Sequence, residues 1–146
     1  MANVMHSVII NAPAEKIWDV LWNEDSYKEW TQFFSRGSNY KSDWKVGGKT
    51  YFLDASGKNG SIATIDRMDK PNMVIFKHIG ELHNGKAINN TRQVIDWLGS
   101  FEKYFIMSFD GYCKLQGESI TSPEYADHIK EGFVKGFAKV KELAEQ

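Results

Sequence analysis

Cysteine is almost missing from this chain. Cys113 stands alone, so an intrachain disulfide is impossible and a cysteine metal cluster is excluded. That usage suits a reducing compartment. No apolar segment approaches membrane-spanning length, and Met1 to Ile10 lacks the long apolar run and cleavage site of a signal peptide. The expected location is therefore cytoplasmic, with no membrane span. A basic excess is also missing. Eighteen Lys and Arg stand against nineteen Asp and Glu, for a formal charge of −1, and without a basic block or stripe nucleic acid is not an expected partner. Repeats, low-complexity runs and linkers are absent too, so residues 1–146 are expected to form one domain.

The chain is rich in aromatic residues, 14% of the total with five Trp. That is enough to line a pocket as well as a core, although ordinary packing is the commoner use. With 42% hydrophobic and 25% charged residues, the composition is that of a globular protein.

The segment from Ser122 to Glu145 has the pattern of one long helix. Ala126, Ile129, Phe133, Phe137, Val140 and Ala144 recur at spacings of three and four, which puts them on one stripe. Tyr125, Gly136 and Leu143 widen that stripe, and Lys and Glu side chains cover the other side. Ser122 is placed as the N-cap, with Pro123 at the first helical position. Burying six such side chains is worth on the order of 10 kcal/mol before ordering entropy is subtracted, so the helix needs a broad apolar partner.

Strands before it can supply that partner. Val4 to Asn11 is a strand with Val4, His6, Val8 and Ile10 on one face. Pro13 opens a helix to about Trp22, and a shorter helix covers Ser26 to Trp30. Strands follow at Ser38–Trp44, Lys49–Asp54, Ser61–Met68 and Met73–Glu81, separated by turns at Val46-Gly47-Gly48, Ala55 to Gly60 and Asp69 to Asn72. Leu82 to Asn90 is a polar connection. Thr91 caps a short helix that Gly99 ends, and Phe101–Phe109 with Tyr112–Ile120 form a hairpin about Asp110-Gly111. Short turns imply antiparallel pairing. The expected class is α+β, a sheet with helices on one face.

This order resembles that of the START-like SRPBCC superfamily, the helix-grip fold, and within it the branch of activator of heat-shock-protein ATPase homologue-like proteins. The resemblance is carried by Ile10-Asn11-Ala12-Pro13-Ala14-Glu15-Lys16-Ile17-Trp18-Asp19-Val20-Leu21, Trp30, Asp43-Trp44-Lys45-Val46-Gly47 and Trp97-Leu98-Gly99-Ser100-Phe101-Glu102. It implies a curved antiparallel sheet of about seven strands wrapped around the C-terminal helix, with two short helices after the first strand and a deep cavity between sheet and helix. Members include lipid carriers, receptors, cyclases and co-chaperone domains, so the fold leaves the function open.

The expected function is binding of a small apolar or amphipathic molecule in that cavity. The alternatives are a cyclase- or hydrolase-like enzyme acting there, and a co-chaperone-like module that uses an exposed surface. Ligand-binding candidates are Trp18, Trp30, Phe76, His78, Tyr104, Phe133, Gly136 and Phe137. Catalytic residues, metal and cofactor are each expected to be none. A homodimer or a chaperone contact is the protein partner considered.

Three candidate clusters carry those expectations. His78, Glu81 and His83 are the densest group of metal-ligand types, but on a regular strand His78 and Glu81 face opposite sides, so solvated edge residues are the preferred reading. His78 shares a face with Val74 and Phe76, which points it inward, where a core partner is preferred over a ligand. Glu102 and Tyr104 share a strand face; a tyrosine donating to a ligand beside an orienting carboxylate is set against a surface pair, and the surface pair is preferred. Gly132 and Gly136 each cost about 0.8–1.0 kcal/mol in a helix relative to Ala. Gly136 is expected to leave open space at the cavity wall, and Gly132 to admit a neighbouring loop.

Overall fold

The computed structural model describes residues 1–146, the side chain of Gln93 excepted. Strand β1 (Ala2–Ile10) leads into helices α1 (Ala14–Trp22) and α2 (Glu24–Thr31). Strands β2 (Asn39–Ser42), β3 (Lys49–Leu53), β4 (Gly60–Asp69), β5 (Met73–His83) and β6 (Lys86–Ile88) follow. Helix α3 (Arg92–Trp97), strands β7 (Phe101–Phe109) and β8 (Tyr112–Thr121) and helix α4 (Ala126–Ala144) complete the chain. The sheet runs β1-β8-β7-β5-β4-β3-β2, with β6 added to the end of β5. Every strand pair is antiparallel. No helix is long and apolar enough to cross a membrane.

Three local differences from the sequence expectation have physical causes. The connection after Leu82 holds a hairpin. Asn84 and Gly85 both have positive φ, as a tight two-residue turn requires, and β6 pairs back on β5. Ser122 makes no side-chain cap bond; Pro123–Tyr125 is a short 3-10 turn, and α4 begins at Ala126. Strands β4 and β5 are not in one unbroken register. Ile62 pairs with Gly80 and Ala63 with His78, which leaves Ile79 extra on β5. A bulge of that kind changes which face the following residues present.

Helix α4 lies on the concave face. Phe133, Phe137 and Val140 are buried against the sheet, as a helix-grip fold requires. Gly117 on β8 makes room for them, since a Cβ there would stand 2.7 Å from both phenylalanine rings. Two lysines of α4 reach the free edge of β1: Lys130 Nζ donates to the Met5 carbonyl and Lys141 Nζ to the Ile9 carbonyl. The Asn11 N–H donates to Glu145 at 2.8 Å. The two lysine bonds occupy edge carbonyls, and the Glu145 bond an N–H just beyond the strand, that would otherwise be free to pair with another strand.

Candidate functional site

Two parts of the interior differ. Towards α1 and the C-terminal end of α4 the space is closed by rings. Trp22 lies edge-on to Trp30, Trp44, Phe76 and Tyr104 at centroid distances of 5.1–6.5 Å. Trp44 takes a positive φ of 54° to reach that cluster, costly backbone for a bulky residue. Its turn is held by Asp43, whose carboxylate accepts from the N–H groups of Lys45 and Lys49. Gly48 gives that carboxylate its space, since a Cβ there would stand 2.2 Å from the Asp43 oxygens.

The other part is open. A pocket of about 300 Å³ is walled by Tyr27, Trp30 and Phe34 from α2 and the turn after it, by Phe52 and Leu53 from β3, and by Tyr104. A second, of about 630 Å³, lies towards the N-terminal end of α4. Its lining includes buried His78 and Ser119, half-buried Trp97 and Ile129, and exposed Arg92 and Glu124. Ser61 and Glu102 line both pockets, so they form the waist between them.

Sheet register explains the waist. Glu102 pairs across with Ser119 on β8 and with Phe76 on β5, and Tyr104 pairs with Gly117 and Val74. All of these belong to the concave face. His78 follows two residues after Phe76 on β5. The bulge at Ile79 then puts Glu81, paired with Ser61, in the same pocket as His78. The expectation that Glu81 and His78 face opposite sides assumed an unbroken strand, and the bulge overturns it. Glu81 Oε2 also lies 3.0 Å from His83 Nε2.

The electrostatics of the waist are unusual. Burial pushes the Glu102 carboxyl up to about 7, with the Tyr104 hydroxyl beside it partly offsetting the rise. Burial also raises the Tyr104 phenol, and the Glu102 charge and Tyr27 add to that. Tyr27 is raised by burial and then by Glu102. The group is a carboxyl that titrates near neutrality between two phenols that stay protonated. Among the described residues no lysine or arginine forms an ion pair with Glu102. The preferred sequence reading, a surface tyrosine with a solvated glutamate, is therefore corrected: Tyr104 is 6% exposed, and Glu102 is partly buried and lines both pockets.

His78 is 4% exposed, and burial holds it down to about 3, so it is neutral at pH 7. Its ring stacks on Trp97 at a centroid distance of 4.0 Å. Trp97 is itself fixed by Nε1, which donates to the Ile120 carbonyl at 3.3 Å. The His78 Nδ1 atom is buried with no hydrogen-bond partner. The core partner preferred for it from the sequence is not there.

Of the residues expected to bind a ligand, Trp30, Tyr104 and His78 line the pockets. Trp18, Phe76, Phe133 and Phe137 are buried among other rings in the filled core. Gly136 is a correction. A Cβ there would stand 2.6 Å from the Trp30 carbonyl oxygen, so this glycine lets α4 approach α2 and leaves no space for a ligand. Gly132 does the same for the Phe34 ring, 2.5 Å from its Cβ position, in the turn that follows α2. Sequence reasoning missed Tyr27, Phe34 and Phe52, and gave Glu102 no ligand role. Tyr27, Trp30 and Phe34 fall at helical spacing, and Glu102 has the same strand parity as Tyr104, so both signals were available.

Comparison with known proteins comes from sequence and from structure. The family described as Activator of Hsp90 ATPase homolog 1-like protein matches residues 11–104, and the chain belongs to that family. None of the curated proteins is a significant sequence match. Among solved structures, the Aha1 dimer from Colwellia psychrerythraea superposes with a TM-score of 0.72 at 18% identity, covering 99% of this chain and 97% of that one. Protein MLL2253 from Mesorhizobium loti gives 0.71 at 16% identity, over 97% and 96%. CalU16 from Micromonospora echinospora gives 0.64 at 14% identity, over 95% and 71%. These likenesses share the fold.

Proposed function

We propose that this member of the Activator of Hsp90 ATPase homolog 1-like family binds a small amphipathic molecule between its sheet and α4. The apolar part rests against Tyr27, Trp30, Phe34 and Phe52, and the polar part meets Glu102. One observation carries the reading: Glu102 lines two adjoining pockets, with two phenols beside it and no cation paired to it. A carboxyl that served only the fold would be paired or left in water, because burying it alone is costly. Titratable groups shifted this far, set in a concavity of open volume, mark binding and catalytic sites. Native mass spectrometry of the purified protein, followed by extraction of retained compounds, tests it. So does titration with a neutral fluorescent naphthalene dye. Saturable one-to-one binding that Ser61→Phe abolishes, by filling the waist, supports the reading. Dye binding that Ser61→Phe leaves unchanged places the dye elsewhere and defeats it.

The same carboxyl favours a second reading, acid–base catalysis of the cyclase-like kind. A carboxyl near 7 both takes and returns a proton at neutral pH, and a neighbouring phenol can hold a developing oxyanion. In that reading turnover falls by two or more orders of magnitude in Glu102→Gln while the dye still binds. Binding without any turnover leaves the carrier reading in place.

A further inference from the structure

We infer that the ligand of this site is an amine: an amphipathic molecule whose ammonium group sits against Glu102 and whose aromatic or alicyclic body fills the pocket of Tyr27, Trp30, Phe34 and Phe52. The inference rests on the ligand-binding reading above and narrows it to a chemical class.

Charge placement is the first argument. The larger pocket is lined by Glu81, Asp96, Glu102 and Glu124 against Arg92 and Met1, the residue that carries the α-amino group, an excess of two acidic groups. The chain as a whole is nearly balanced, so this excess is local and not inherited from composition. An anionic ligand would pass the acidic mouth and end beside a carboxylate, an arrangement that like charges oppose. A neutral apolar ligand would displace water from Glu102 and leave the carboxylate desolvated and unpaired. An ammonium group meets both conditions.

His78 is the second argument, and it is independent of the carboxylates. Its ring is deep in the same pocket, stacked on Trp97, and its Nδ1 has no partner in the protein. A neutral imidazole adds no positive charge to oppose a cation. Nδ1 itself is closed off from the open volume, so a ligand N–H reaches it only with a small movement of the lining; with the proton on Nε2 it then accepts a hydrogen bond. The acceptor at the waist is Glu102, with the Ser61 hydroxyl beside it able to turn either way, while His78 and Ser119 line the larger pocket alone.

The aromatic walls are the third. Tyr27, Trp30 and Tyr104 present rings around the waist, and a cation held near such faces gains further attraction when desolvated. Body and head group are thus served by adjoining compartments: rings behind the waist, acceptors at it, carboxylates in front.

Three probes with one ring system test the class: 1-naphthylmethylamine, 1-naphthylmethanol and 1-naphthylacetate, titrated by calorimetry and by quenching of tryptophan fluorescence. At pH 8 the amine is expected to bind about tenfold or more tighter than the alcohol, the gain typical of a charge-assisted hydrogen bond, and the acetate weakest. The groups around Glu102 at this pH are the phenols of Tyr27 and Tyr104, neutral His78, and, along the same pocket, Glu81, Asp96, Glu124, Arg92 and Met1 with its α-amino group. At pH 5.5 Glu102 is protonated, and the amine's advantage is expected to shrink. Glu102→Gln should abolish most of it at pH 8. Because that variant could also disturb the fold, a second measurement uses the unaltered protein. Amine binding at pH 7 should release protons, read as a buffer-dependent heat, while alcohol binding should release none. Equal affinity for amine and alcohol, tighter binding of the acetate, or no proton release with the amine would overturn the inference and leave the ligand-binding reading standing. If none of the three probes binds saturably, both fall.

Discussion

Replacing Glu102 by glutamine should stabilise this protein, and only above the pH at which the carboxyl ionises. An ordinary glutamate titrates at 4.5, and burial at the waist pushes Glu102 up to about 7. The folded chain therefore holds the proton more tightly than the unfolded chain. Between those two values the folded state binds more protons than the unfolded one, so this group's contribution falls as pH rises. Below about 4.5 it costs nothing through ionisation; above about 7 the whole penalty is present. A rise of that size corresponds to about 3 kcal/mol, and water in the adjoining pockets reduces it, so the expected gain for Glu102→Gln is about 1–3 kcal/mol at pH 8. For a chain of this length that raises the melting temperature by about 3–9 °C. At pH 4.5 the two proteins should melt together. The assay is thermal or urea unfolding of both across pH 4.5 to 8.5, read as the difference between them, so that the other titrating groups cancel. A glutamine variant that is less stable at pH 8, or a difference that does not change with pH, would refute the assignment of Glu102 to an unpaired, enclosed position.

Gly136→Ala should cost about 1–3 kcal/mol in urea unfolding, because its Cβ meets the Trp30 carbonyl oxygen at 2.6 Å; a gain of the size that helix propensity alone predicts would show open space there. His78→Phe removes an imidazole that burial holds near 3 and whose Nδ1 is unpartnered. The unfolded histidine takes up a proton below about 6.5 and the folded one does not, so the native chain loses stability as pH falls from about 6.5 to 3 and the variant is spared. At pH 5 the variant should therefore gain about 2 kcal/mol relative to its standing at pH 8, and parallel pH profiles would exclude a buried neutral His78.

The long-range frame of the fold was legible in the sequence because it rests on periodicity. The stripe from Ala126 to Ala144 could bury only against a broad sheet, and short turns could pair the strands only antiparallel. The Asn84-Gly85 turn was equally legible in principle, since that dipeptide suits two successive positive φ values. The bulge at Ile79 was not. Gly80 is the one residue in Lys77-His78-Ile79-Gly80-Glu81 that signals an irregular strand, but it does not say that a residue is inserted, and one inserted residue was enough to bring Glu81 round to His78's face. Gly136 failed for a related reason. A glycine on a buried stripe reports that something lies close by, but only the partner helix decides whether that is a carbonyl oxygen or a void. Glu102 shows the opposite failure. Its parity with Tyr104 and Ile106 placed it inward, and the general rule that glutamate is solvated was given more weight than the alternation.

The costs in this interior are unevenly placed, and their distribution bears on function. On the inner side of Trp22 rings fill the space, and the hollow of about 370 Å³ beside it lies towards exposed Glu24 and Lys41. The Trp22 Nε1 has no conventional acceptor, but it is enclosed by rings whose faces can receive an N–H. Towards the first turns of α4 the protein leaves open volume, an unpaired carboxyl and an unpartnered imidazole together. Each of these is readily removed by substitution: phenylalanine at Ser61 for the volume, glutamine at 102, phenylalanine at 78. A chain that needed α4 only as a strut could close this end as it closes the other. A role confined to an exposed surface gives no account of why two pockets adjoin at Glu102 and the larger one reaches Arg92 and Glu124 at the surface. A ligand that fills the volume and pairs the carboxyl accounts for two of these costs at once, and it predicts that they diminish on binding: saturating amine should raise the melting temperature of the native protein more than that of Glu102→Gln.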